Sequence, residues 1–168
     1  MNRFLIYLGR FTLILIGYVA AVLVASVALH LLILPRIGLE EEMSAPTASV
    51  ILFWSIPFMA LVIAYLAFVP SVIAIGLAEA LSARSWLYHT LAGGIIGLVI
   101  ALMFQGSAPD DVLAAGSELE LIAPGQSIYD PVFLAVLAGS GMFGGLAYWL
   151  VTGRTSGGWT TRRRVDEN

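Results

Sequence analysis

Long apolar runs separated by short polar segments dominate the chain. Four of these runs carry no charged residue: residues 11–34, 48–69, 86–104 and 131–151. A helix needs about 20 apolar residues to cross a hydrocarbon core of about 30 Å, and each run is close to that length. The pattern therefore predicts an all-α fold, a single-domain membrane-spanning bundle of four transmembrane helices.

The second run contains prolines and continues past the length of one span. Pro57 is expected to bend the helix, because proline removes a backbone hydrogen bond and clashes with the preceding turn. Pro70 predicts a second bend or a break. The continuation to residue 83 is then too long for one straight span, so we expect it to leave the core or lie along the surface. It would carry Glu79 to the inner interface.

The first run follows a basic start, which raises the question of a signal peptide. Ser26-Val27-Ala28 resembles a cleavage site. Apolar regions of signal peptides are about 7–15 residues long, and this run is longer. We therefore predict an uncleaved transmembrane helix.

Small residues recur at a spacing of four in three of the runs. On one face of a helix, such residues let a second backbone approach closely. Gly17, Ala21 and Ala25 form such a stripe in the first run. We predict that helices three and four pack closely through Gly93, Gly97, Gly141 and Gly145, with Gly144 on the helix-four face that also holds Leu137 and Tyr148.

Composition agrees with the run pattern. Of 168 residues, 60% are hydrophobic and 11% are charged, and the mean hydropathy is +0.94. Soluble domains carry about 25% charged residues, so this composition is that of an integral membrane protein. The chain has no cysteine. This excludes disulfides, thiolate catalysis, iron–sulfur clusters and cysteine-ligated zinc.

Charge is segregated along the chain. All eight basic residues are arginines, and only Arg36 shares its side of a four-span arrangement with eight of the eleven acidic residues. The positive-inside rule then places both termini in the cytoplasm, the loop 105–130 outside and the tail 152–168 inside. In the tail, we expect a cluster to face anionic lipid: Arg162, Arg163 and Arg164.

Candidate chemistry is sparse. His30 and His89 should lie roughly 25 Å apart in depth at 1.5 Å per residue, too far to share one haem. We expect both to be interfacial. Ser140 has no histidine at its depth to serve as a base, which favours close packing over catalysis.

The acidic residues of the loop 105–130 match no known calcium-binding loop. They are Asp110, Asp111, Glu118, Glu120 and Asp130. A solvated face, or a surface that docks a partner, accounts for them. We therefore expect no catalytic residue, no metal and no cofactor.

Glu79 is the ionisable residue of greatest interest. On a continuous helix, Glu79 and Arg84 would be about 140° apart around the axis. We predict an interfacial ion pair, with Arg84 if the chain turns between the two residues, and with Arg154 or Arg10 if it does not. A proton-coupling role for Glu79 is the alternative.

Two stretches carry a resemblance. Residues 70–94 contain Ala78-Glu79, Arg84-Ser85 and Gly93-Gly94, and residues 144–154 read GGLAYWLVTGR. Together they resemble a group of small, four-span, uncharacterised inner-membrane proteins of alphaproteobacteria. The resemblance implies a multi-pass protein of the bacterial inner membrane and carries over no reaction.

The favoured function is a non-enzymatic accessory or scaffold subunit that packs with itself or with other membrane subunits. A transport component with Pro57, Pro70 and Glu79 in gating or coupling is the alternative. A third hypothesis is a redox-complex subunit that touches a quinone or haem held mainly by partners. We expect the lipid bilayer as surroundings and no nucleic acid as partner.

The distribution of arginines makes the topology testable. A reporter fused after Asn168 should be cytoplasmic, and a reporter within 105–130 should be periplasmic, because the arginine-rich segments stay inside. Activity of a periplasmic reporter fused after Asn168 would contradict the four-span arrangement.

Overall fold

Four helices make up the described chain. The computed structural model describes residues 2–37, 45–105 and 131–156. The helices are α1 (Asn2–Ile37), α2 (Ala45–Ala80), α3 (Trp86–Gln105) and α4 (Pro131–Val151), followed by a short 3-10 turn at Gly153–Thr155. Each helix is long and apolar enough to cross a membrane. The chain is thus a multi-pass membrane protein, and the predicted all-α bundle of four transmembrane helices is confirmed.

Helix α1 begins at Asn2, whereas the predicted span begins at residue 11, and α2 is one continuous helix across its two prolines. Helix α2 has 36 residues and stays continuous through Pro57 and Pro70. Of the two alternatives predicted at Pro70, a bend or a break, the break does not occur. Membrane helices tolerate proline when neighbouring groups satisfy the freed backbone atoms. The predictions for the loop 106–130 and for Arg162, Arg163 and Arg164 fall on residues outside the described ranges.

Helix α4 lies between α3 and α1, and glycines set its contact with α3. A Cβ atom built on Gly141 would overlap the carbonyl oxygen of Gly93, and one on Gly145 would overlap the carbonyl oxygen of His89. Gly97, one turn further along α3, lies in the same way against the carbonyl oxygen of Leu137. The two helices therefore meet backbone to backbone, at a distance that only glycine allows.

The other face of α4 packs on α1. A Cβ atom on Gly144 would come within 2.9 Å of the Ala21 carbonyl oxygen and 3.1 Å of the Ala25 Cβ. Gly17 of α1 lies against Thr152 and Tyr148. Gly144 thus serves the α1 contact, whereas Gly141 and Gly145 serve the α3 contact, and α4 uses small residues on two sides.

Helix α2 joins the bundle in a different way. Only 11% of its membrane span is buried, against 28% in each of the other three spans. Among residues 49–80 of this helix, the buried ones are alanines, Ala60, Ala67 and Ala78. Three hydroxyl groups from the neighbouring helices donate to α2 backbone carbonyls: Ser26 to Ile56 (2.7 Å), Tyr18 to Ala64 (2.5 Å) and Tyr88 to Ala74 (2.9 Å). Polar bonds and a narrow alanine stripe thus hold α2.

The α3–α4 contact can be tested with one methyl group. Gly145→Ala should lower the free energy of unfolding by about 1–3 kcal/mol, because its Cβ atom forces two backbones apart. Gly139→Ala is the matched control on the same helix, since its Cβ atom would meet only Leu32 Cδ1, at 3.8 Å. Thermal unfolding in detergent measures both. Equal melting temperatures for Gly145→Ala and the unsubstituted chain would rule out the close contact.

Candidate functional site

The candidate site lies at the end of the bundle where α1 begins and where α2 and α4 end. We call this the terminal end. Helix α2 is closed by a hydrogen bond from the Ala83 N–H to the Ala78 carbonyl (2.8 Å), with Ser82 at a φ of 51°. This is the Schellman arrangement, which stops a helix by one left-handed residue. It leaves Glu79 in the last turn of α2, with its side chain 12% exposed.

Arg10 of α1 joins three segments at this end. Its Nη2 donates to Glu79 Oε1 of α2, and its Nη1 donates to Thr155 Oγ1 in the 3-10 turn (2.5 Å). The Arg10 side chain is 20% exposed. Charge-assisted hydrogen bonds of this kind are stronger than neutral ones. We call Arg10, Glu79 and Thr155 the Arg10 junction.

Thr152 continues the connection between α4 and α1. Its side chain is fully buried, and its hydroxyl donates to the Leu13 carbonyl oxygen (2.8 Å). Gly17 provides the space for this threonine, because a Cβ atom on Gly17 would overlap the Thr152 hydroxyl. The Thr152 side chain, three residues before Thr155, thus packs against Gly17, which lies about two helical turns after Arg10.

His89, in the first turn of α3, is buried between the helices. It is 5% exposed, and its ring stacks on Tyr148 with the centroids 5.5 Å apart. Its Nδ1 lies 2.9 Å from the Ser85 carbonyl oxygen, which can only accept, so Nδ1 carries a hydrogen. Nε2 faces Gly153 and, like the Tyr148 hydroxyl, has no partner among the described residues. Gly153 leaves room for the ring, and Gly145 lies against the His89 carbonyl oxygen.

The other predicted arginines have different partners from the expected one. The chain does turn between Glu79 and Arg84, but the turn directs the Arg84 Nε to the Ser156 carbonyl oxygen (3.0 Å). Trp149 Nε1 donates to the Arg84 carbonyl oxygen (2.8 Å), and the Arg154 guanidinium lies 4.6 Å from the centre of the Trp149 ring. Of the three candidate arginines, the one that contacts Glu79 is Arg10.

Ser140 and His30 make local bonds. The Ser140 hydroxyl donates to Leu137 O (2.9 Å), and His30 Nδ1 lies 2.8 Å from Ser26 O, both within their own helices. A cavity of about 90 Å³ lies between the four helices and is lined chiefly by alanine, glycine and aliphatic side chains. Within residues 2–37, 45–105 and 131–156, no three acidic or histidine side chains converge as a metal site requires. The polar contacts of the described residues thus connect helices to one another.

Sequence reasoning missed Thr152, Thr155 and the inward position of His89. A usable signal existed for Thr152, because it extends the buried i, i+4 stripe of α4 that runs through Ser140, Gly144 and Tyr148. No comparable signal marked Thr155, whose role depends on the 3-10 turn after α4.

A double-mutant cycle on Arg10→Gln and Glu79→Gln tests the Arg10 junction. We expect a coupling energy of about 0.5–2 kcal/mol, because the pair is neither fully exposed nor fully buried. The control cycle pairs Glu79→Gln with Arg154→Gln, whose guanidinium lies over Trp149, and should show a smaller coupling. Unfolding free energies in detergent give both values. Additive effects of Arg10→Gln and Glu79→Gln would mean that the contact contributes nothing to stability.

Comparison with protein-family models, curated proteins and solved structures found no match to this chain.

Proposed function

We propose that this chain is a non-enzymatic accessory or scaffold subunit of the bacterial inner membrane, with both termini in the cytoplasm. It acts by packing its helices against other membrane-embedded segments. The segregation of arginines supports the orientation. The unequal packing of the four helices supports the function.

The observation that carries the proposal is the outward face of α2. The helix gives its own bundle a stripe of alanines, and it exposes bulky side chains elsewhere, including Trp54 at 70%, Leu61 at 68% and Tyr65 at 82%. Association between membrane helices depends on side-chain packing and hydrogen bonds, since lipid tails are as apolar as leucine. An α2 that packs little within the bundle is available to pack outside it.

The other three helices form a rigid unit that holds α2 in place for docking. The glycine contacts of α4 with α3 and α1 fix three helices backbone to backbone. The Arg10 junction fixes the end of α2 to the same unit. A rigid three-helix unit that presents a fourth helix is the arrangement we expect of an adaptor.

The transport alternative has less support. It requires Glu79 to change its contacts during a cycle, and the Arg10 guanidinium is bonded to Glu79 and to Thr155 at once. That double contact favours an anchor over a mobile carrier.

Photo-crosslinking in native membranes tests the proposal. Benzoylphenylalanine at Phe58, on the outward face of α2, should form adducts with protein. The matched control is the same replacement at Phe143 of α4, which is 53% exposed and should label mainly lipid. Lipid adducts alone at both positions would contradict a docking role for α2.

A further inference from the structure

The outward face of α2 has a regular spacing. Six bulky residues, each between 54% and 82% exposed, follow one another at intervals of four and three residues: Trp54, Phe58, Leu61, Tyr65, Phe68 and Val72. We call them the outer seam. A repeat of 3.5 residues is the spacing of helices that pack side by side with a left-handed crossing, and membrane bundles commonly use it.

The seam lies on the side of α2 away from its attachment to its own bundle, and Tyr65 is nearly opposite that attachment. At 100° per residue, Ala60 and Ala67 fall within about 40° of the point opposite Tyr65. These alanines are 4% and 5% exposed, whereas Tyr65 is 82% exposed. Phe68 lies at the edge of the seam, with its ring edge-on to Tyr18 of α1 and the centroids 6.3 Å apart. The other seam residues point away from the described helices, and a partner can reach them without moving any of these helices.

Tyr65 distinguishes the seam from an ordinary lipid-facing surface. It stands at the middle of the span Ser49–Ala80, about 22 Å of helix from either end. A tyrosine at mid-depth is too short to bring its hydroxyl to the headgroups of a core about 30 Å thick. Tyr18 and Tyr88 donate to α2 carbonyls, but no described residue accepts a bond from Tyr65. Hydrocarbon offers no acceptor, so a hydroxyl here calls for a protein partner.

We infer that the outer seam of α2 is the interface of a parallel homodimer in which Tyr65 hydrogen-bonds to its own counterpart. The inference rests on the proposed docking role of α2 and names the partner as a second copy of this chain. Copies inserted in one orientation dimerise about a two-fold axis along the membrane normal, and each seam residue then meets its equivalent at the same depth. A hydroxyl both donates and accepts, so two tyrosines satisfy each other without help from another protein.

Single-cysteine variants test the interface, because the chain has no cysteine of its own. In native membranes under mild oxidation, Leu61→Cys should give a disulfide-linked dimer. Phe53→Cys is the matched control on the same helix: it is 72% exposed but lies about 120° around the axis from Tyr65, and it should stay monomeric. A Leu61→Cys chain that reacts with a thiol reagent and forms no dimer would overturn the homodimer.

The hydroxyl is tested separately by Tyr65→Phe, which keeps the ring. Energy transfer between labelled copies in liposomes should show dimer dissociation raised about 3- to 20-fold, the range that hydrogen bonds between membrane helices give. Tyr7→Phe, at a tyrosine that is 57% exposed near the start of α1, should change nothing. Unchanged dimer association in Tyr65→Phe would contradict the hydrogen bond between the two tyrosines.

The crosslink at Phe58 separates this inference from the proposed function. An adduct of twice the chain's mass supports the homodimer. Adducts only with a different membrane protein overturn the second copy and leave the docking role standing, whereas lipid adducts alone overturn both.

Discussion

The close approach of the α4 backbone to α3 and α1 is the interaction on which the rest of the bundle depends. In a bilayer, helices gain little from burying apolar side chains, because lipid tails solvate them equally well. What remains is packing between surfaces that come near enough for many contacts. Gly141 and Gly145 bring α4 against the α3 backbone, and Gly144 brings it against Ala21 and Ala25 of α1. Two neighbours on one helix need small residues on two faces, which explains why the middle of α4 is so rich in glycine.

Helix α2 is attached to the bundle mainly by polar bonds. It carries two prolines, and three of its backbone carbonyls accept a hydroxyl from a neighbouring helix. Such bonds between membrane helices are worth about 0.6 kcal/mol each on average, so three of them with one ion pair make a modest attachment. They are also directional. Together they fix the rotation of α2, and that rotation decides which face is turned outward. A few bonds on the alanine side therefore determine the position of every residue on the opposite side.

Sequence reasoning succeeded where one helix is enough to carry the signal. Gly93 and Gly97 of α3 and Gly141 and Gly145 of α4 can be read from their spacing, because small residues four apart share a face whatever the partner. Prediction from the sequence was less successful where the partner or the burial of a side chain depends on three segments at once. The choice of Arg10 over Arg84 follows from a Schellman turn at Ser82, where no glycine signals the left-handed residue. The His89 ring is buried against Gly153, which lies more than 60 residues away in the sequence. Whether Pro70 breaks a helix likewise depends on neighbours, which α2 has on one side only.

The Arg10 junction shows why an ion pair suits this position better than further close packing. Glycine contacts require two straight helices side by side, and at the terminal end α1, α2 and the turn after α4 meet at one point. A guanidinium has several donors in one plane, so Arg10 bonds to Glu79 and to Thr155 together. Glu79 is thereby held to α1, although α2 itself has few packed residues. The unit fixed by glycine and the helix fixed by polar bonds are joined at this residue, and the outward face of α2 keeps one orientation because Arg10 holds its end.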